Sequence, residues 1–133
     1  VDCVPNTTTD NLGRMAAALV QLNGRLRVGG LSDEEARRLP VTIDAETLSQ
    51  FGSSAWMTDA GPVDLLVELR DRDGGRHDYV ELSARGVGYD VGDLTVRLAS
   101  LDDIVASKEF AGRDKDRDAL PELHELLRRQ QSR

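Results

Sequence analysis

The stretch SAWMTDAGPVDLLVEL, residues 54–69, constrains this chain more than any other. Two strand-like runs flank Asp59-Ala60-Gly61-Pro62, residue types that favour a tight turn, and together they predict a β-hairpin. The second run, Val63 to Leu69, is mostly apolar rather than alternating. That pattern predicts a strand central to a sheet. Asp64 is the anomaly within it, because a carboxylate in an apolar strand is costly unless it is paired, protonated or bound to a cation.

The remaining elements supply the cover. VDCV at the start reads as a short strand stopped by Pro5-Asn6, and it too carries an acid, Asp2. Leu12, Met15, Ala16, Leu19 and Val20 fall at helical spacing, predicting a helix capped by Thr9 or Asp10 and closed by Gly24. GRLRVGG is expected to hold a short strand or a loop arm. Ser32 with Glu35 forms a capping box, so a short helix starts there and stops at Pro40. DAETLSQF is a weaker helical turn, RDRDGGRHD a polar loop, and Tyr79 to Arg85 a helical turn. VGYDVGDLTVRLA predicts a second hairpin around Val91-Gly92-Asp93. Ser100 caps a helix with Asp102 and Asp103 in its first turn, where the helix dipole favours acids. Gly112 breaks it. A last helix carries Leu120, Leu123, Leu126 and Leu127, with Asp118 as the expected N-cap and Pro121 in the first turn. Without repeats or a linker, residues 1–133 suit a single domain. The fold class expected is α+β, a small mixed β-sheet packed by helices.

Composition narrows the function. Aromatic residues are only 4% of the chain, so Leu, Val, Ala and Ile must build the core. A net charge of −7 argues against a broad electrostatic grip on nucleic acid and leaves room for a local basic contact. One cysteine, Cys3, permits no internal disulfide and fits a reducing, cytoplasmic setting. No signal peptide and no membrane-length apolar run is visible.

Asp2 and Asp64, each in an apolar strand run, are the first candidates for chemistry. Singly, each reads as a strand-end carboxylate facing solvent or pairing with an arginine. On neighbouring strands, the two could hold one divalent cation through oxygen ligands, as Mg²⁺ prefers. Only two of the seventeen basic residues are lysines, Lys108 and Lys115, and both lie in SKEFAGRDKDRD. Either chance placed them there, or a compact ammonium is needed where the chain otherwise writes arginine. His77 and His124 read as loop and solvent-face residues with no zinc spacing. Trp56 and Cys3 read as core. Arg128, Arg129 and Arg133 make a basic end, either solvated or touching RNA phosphates.

VDCVPNTTTDNLGRMAAAL, WMTDAGPVDLL and VRLASLDDIVASKEFAGRDKDRDALPELHELL resemble successive parts of a minimal nucleotidyltransferase of the polymerase-beta-like superfamily. The likeness is to its abortive-infection AbiEii type, which includes toxins of type IV toxin–antitoxin pairs and mycobacterial toxins that modify tRNA. It covers nearly the whole chain. It is most specific in the C-terminal run, where Lys, Gly-Arg, Lys-Asp and Leu-Pro-Glu-Leu follow in order. The family's first strand ends in Gly-Ser and its second carries Asp-x-Asp. Asp2 matches the second of those aspartates, and the first would lie just before Val1. The resemblance therefore implies a member lacking its N-terminal strand–helix portion, expected to transfer little on its own. Ser53-Ser54 lacks the strand–turn context of the family Gly-Ser and is not given that role.

The resemblance also implies roles. Asp2 and Asp64 would be metal ligands for Mg²⁺ or Mn²⁺, with Asp64 also deprotonating the attacking hydroxyl. Lys108 would steady the triphosphate. Asp116 would complete the polar cluster, and Arg113 and Lys115 would contact phosphate or RNA. The implied activity is a nucleotidyltransferase-like toxin moving a nucleotide from an NTP to an RNA 3′ end, with tRNA the expected acceptor and an antitoxin protein a possible partner. The alternative is a truncated or degenerate, non-catalytic member acting through a protein partner or an oligomer. An open edge at Val1 to Val4 would offer one route to a homo-oligomer. Ignoring the resemblance, Lys108 reads as a snorkelling surface residue and Asp116 as a turn or cap acid.

Overall fold

The computed structural model describes residues 1–133, and the fold is α+β. The chain divides into two compact units, Val1–Val67 and Glu68–Arg133.

The first unit contains β1 (Asp2–Cys3), α1 (Thr9–Gln21), β2 (Arg25–Leu26), α2 (Asp33–Arg37), α3 (Ala45–Phe51), β3 (Ser54–Thr58) and β4 (Gly61–Leu65). Its four strands form one sheet in the order β1-β4-β3-β2. β1 runs parallel to β4 and the other pairs are antiparallel. β4 is internal, as its apolar run predicts, but it is shorter than Val63 to Leu69. It begins at Gly61, enclosing Pro62, and ends at Leu65, because its partners stop there: Cys3 pairs with Leu65 on one side and Ser54 on the other. The hairpin closes through Asp59-Ala60, where the Thr58 hydroxyl donates to Gly61 O (2.7 Å) and accepts from Ala60 N (3.1 Å).

Thr8, rather than Thr9 or Asp10, caps α1, its side chain accepting from Asn11 N. Asp10 instead occupies the first turn. At the other end Asn23 takes a left-handed φ of 55° while Gly24 N donates to Leu19 O and Asn23 N to Val20 O. This doubly bonded ending satisfies the last carbonyls of the helix. A Cβ on Gly24 would lie 2.9 Å from Leu19 O, so glycine is needed for the close approach. Ser32 and Glu35 form the expected reciprocal cap of α2.

Strand alternation sorts the sheet into two faces. Trp56, Leu65, Val63, Cys3 and Leu26 pack with Leu12, Ala16, Leu19 and Leu48 of the helices to make the core. The alternate positions Asp2, Asp64, Ala55, Met57 and Arg25 therefore lie on the opposite face.

The second unit contains β5 (Leu69–Arg70), β6 (Arg76–His77), α4 (Tyr79–Arg85), β7 (Val87–Val91), β8 (Leu94–Leu98), α5 (Leu101–Ala111) and α6 (Asp114–Gln131). The polar stretch expected as a loop is a small ribbon, β5–β6. Asp71 organises it, accepting from Asp73 N and Gly75 N while bonding His77 Nε2 at 2.8 Å. β7 and β8 join through Gly92-Asp93, with Gly92 at φ 63°, as a primed hairpin turn requires. α6 starts at Asp114, four residues before the expected cap Asp118, so Pro121 lies inside the helix. Asp116 explains the earlier start, because its carboxylate accepts from Arg113 N and closes the helix there. Pro121 then removes the bond its N–H would give Arg117 O. No helix is long and apolar enough to cross a membrane.

Candidate functional site

Asp2 and Asp64 are register partners on the parallel pair β1–β4. Register partners point to one face, and neighbouring strands are about 4.8 Å apart, so the two carboxylates stand side by side on the face opposite the core. Asp64 Oδ1 is buried and has no hydrogen-bond partner. No arginine relieves it, which excludes the simple ion pair as the reason for an acid in this strand. A buried carboxylate oxygen left unpaired is expensive and calls for a donor or a cation.

Asp64 lines a cleft of about 460 Å³. Its walls come from α2, the segment leading into it, and the non-core face of the sheet, including Arg25, Arg27, Leu31, Ala55, Met57 and Asp64. Arg25 is committed within the wall. It donates to Asp33 at 2.6 Å and to Asp59 at 3.1 Å, and Asp33 in turn holds Arg37. Asp33 and then Asp59 raise the Arg25 guanidinium above its usual pKa, so its charge is fixed.

The donor set fits a hard divalent cation in part. Two adjacent carboxylates with one unsatisfied oxygen suit Mg²⁺, which keeps several waters and takes one or two protein carboxylates beside substrate phosphates. No group of three or more His, Cys, Asp or Glu side chains is placed to hold a metal, so a self-sufficient protein cage is absent.

The second unit brings three other candidates together. Asp116 is 1% exposed and receives Arg113 Nε at 2.7 Å, a second guanidinium N–H at 3.3 Å and Lys108 Nζ at 3.4 Å. Arg113, then its own burial opposed by that charge, sets its acidity: the carboxyl is held at about 2. Lys108 reaches this cluster from the last turn of α5 because Gly112, in the left-handed conformation, turns the chain directly into α6. Lys115 is exposed and stands outside the cluster. Asp116 thus serves as a helix-capping acid, whatever else it does. Ser53 and Ser54 also have local tasks, accepting from Val67 N and Trp56 Nε1.

The lowered pKa of Asp116 gives a signed expectation. An unfolded carboxyl titrates near 3.8 and the folded one at about 2, so the ion cluster stabilises fully above the first value and is lost as pH falls towards the second. Asp116→Asn cannot follow that titration. The gap in melting temperature between wild type and Asp116→Asn should be constant above about pH 5 and narrow below about pH 4. A gap that stays constant down to pH 2 would show that the cluster does not hold α6.

Arg25 and Arg27 escaped the reading of GRLRVGG as a short strand or loop arm. The available signal was the alternation Arg-Leu-Arg, which places both arginines on one face of any strand. What could not be read was the pairing that sets that face beside Asp64. No family model matches the chain, and no curated protein and no solved structure matches it.

Proposed function

We propose that this protein is a divalent-cation-dependent nucleotidyltransferase, moving a nucleotide from an NTP to the 3′ end of an RNA, with tRNA as the acceptor class. The observation that carries this reading is the pairing of Asp2 with Asp64 on one sheet face, one carboxylate oxygen being buried and unsatisfied beside a cleft. The sequence resemblance to AbiEii-type toxins points the same way and adds the toxin role and an antitoxin partner to the proposal.

Phosphoryl chemistry of this kind depends on positioning and charge neutralisation more than on covalent help. Mg²⁺ or Mn²⁺, when bound, neutralises phosphate charge and orients the reacting phosphoryl group. Asp2 and Asp64 would hold that ion. Asp64 is also the base assigned to the acceptor hydroxyl. In the second unit, Lys108 and Arg113 carry cationic charge around Asp116, and the proposal gives them and Lys115 contacts to NTP or RNA phosphates.

Incubating the protein with labelled NTPs, Mg²⁺ and total tRNA tests this directly. Residues 1–133 alone should incorporate little label; in a chain that also carries the family's Gly-Ser strand, label should enter the tRNA 3′ end, and Asp64→Asn should reduce incorporation by about 100-fold or more, since even an outer partner of a metal ligand is worth about 10–100-fold. Incorporation that survives Asp64→Asn would overturn the assignment. Binding of the protein to a partner with no transfer under any nucleotide would favour the non-catalytic alternative.

A further inference from the structure

The register extends the carboxylate pair into a row across the sheet. Asp2 pairs with Asp64, and Asp64 pairs with Ala55. Arg27 N donates to Ala55 O at 2.8 Å, continuing the ladder in which Arg25 faces Met57 and Leu26 faces Trp56. One face therefore reads carboxylate, carboxylate, methyl, guanidinium. Ala55 is the only small side chain in that row, so it leaves a notch between Asp64 and Arg27. The Cα atoms of those two residues are two strand spacings apart, about 9–10 Å.

The two arginines of the cleft differ in their freedom. Arg25 is held by Asp33 and Asp59, whereas Arg27 is exposed and no carboxylate lies within ion-pairing distance of it. An uncommitted guanidinium across a notch from a carboxylate that no cation of the chain pairs is complementary to an anion that carries its own cation. A phosphate chain with a bound divalent ion is such a ligand: its metal would meet Asp64, which lines the cleft beside its register partner Asp2, and its oxygens would meet the guanidinium, which grips phosphate through paired N–H donors. The cleft volume, about 460 Å³, lies in the range of small-molecule sites, and Val28, Leu31 and Met57 give it an apolar wall.

We infer that this cleft receives the metal-bound triphosphate of the nucleotide and that Arg27 is a further phosphate-contacting residue, supplied by the cleft itself. The assignment rests on the nucleotidyltransferase reading and adds to it a residue and a location within the first unit. Arg25 is a positioning residue, bracing α2 against β2 and keeping that wall in place.

Calorimetric titration with inorganic tripolyphosphate, with and without Mg²⁺, separates the two claims. The proteins compared are wild type, Arg27→Gln, Asp64→Asn and, as a control, Arg38→Gln, whose side chain is 75% exposed and pairs only with Glu34. Arg27→Gln should weaken Mg²⁺–tripolyphosphate binding about tenfold or more, the worth of a charge-assisted contact. Arg38→Gln should bind as wild type, and Asp64→Asn should lose the Mg²⁺ dependence. Wild-type affinity in Arg27→Gln, with the Mg²⁺ dependence lost in Asp64→Asn, would overturn the Arg27 assignment and leave the metal reading standing. Weakened binding in Arg27→Gln with no Mg²⁺ effect in any protein would keep Arg27 as a phosphate contact and remove the metal reading. Equal binding in all four proteins would overturn both.

Discussion

Trp56→Ala is expected to cost the first unit about 3–5 kcal/mol, the usual range for deleting a fully buried aromatic side chain. Trp56 is completely buried at the centre of β3, among Leu12, Ala16, Leu19, Leu48 and Leu65. The chain has five aromatic residues, and Phe51, Tyr89 and Phe110 are each more than 40% exposed. No other ring belongs to this core cluster, and the surrounding leucines and Ala16 come from three different elements that cannot all close on the space. A loss of this size is a large part of the roughly 5–15 kcal/mol that holds a typical domain folded. Trp56→Phe should cost much less, about 1–2 kcal/mol, from the smaller ring and the lost bond between Nε1 and Ser54 Oγ. Urea unfolding followed by far-ultraviolet circular dichroism measures both. A cost below about 1 kcal/mol for Trp56→Ala would mean that the sheet and helices do not share the core described.

The opposite sign is expected at Asp64. Its unsatisfied buried oxygen lowers the stability of the metal-free protein, and a valine there is a β-former of similar size with nothing to satisfy. Asp64→Val should therefore stabilise the metal-free protein by about 1 kcal/mol, the lower end of the cost of an unpaired buried polar group, since the residue as a whole is half-buried. A substitution that strengthens the fold and abolishes transfer would mark Asp64 as retained for chemistry rather than for structure. Destabilisation by Asp64→Val, in metal-free buffer, would instead give the carboxylate a structural task.

Much of the fold could be read from local chemistry. The Ser32–Glu35 box, the Ser100 cap, the Gly92-Asp93 turn and the apolar run of β4 each declare themselves within a few residues. The errors have the same local origin. Thr8, Thr9 and Asp10 are all competent caps, and only the chain path after Pro5 selects Thr8. Pro121 argued for a late helix start, and a buried ion cluster at Asp116 overrode it. The ribbon at β5–β6 was hidden because a single carboxylate, Asp71, holds it by side-chain bonds that no periodicity records. At the site, the two aspartates stood out because each is an acid in an apolar run. Arg27 did not, because a guanidinium separated by one residue from a Gly-Gly pair is ordinary until β2 is paired with β3.

Thermal unfolding with and without Mn²⁺ tests most directly whether Asp2 and Asp64 hold a divalent cation. Wild-type protein starts in chelator and is then given Mn²⁺ up to about 100 times its dissociation constant, where binding to the folded state alone stabilises by about 2.7 kcal/mol. The expected result is a concentration-dependent rise in the melting temperature of wild type, strongly reduced in Asp2→Asn and absent in Asp64→Val, which should nonetheless melt above metal-free wild type. A rise of equal size in wild type and Asp64→Val, or none in wild type at any Mn²⁺ concentration, would contradict the paired-carboxylate site.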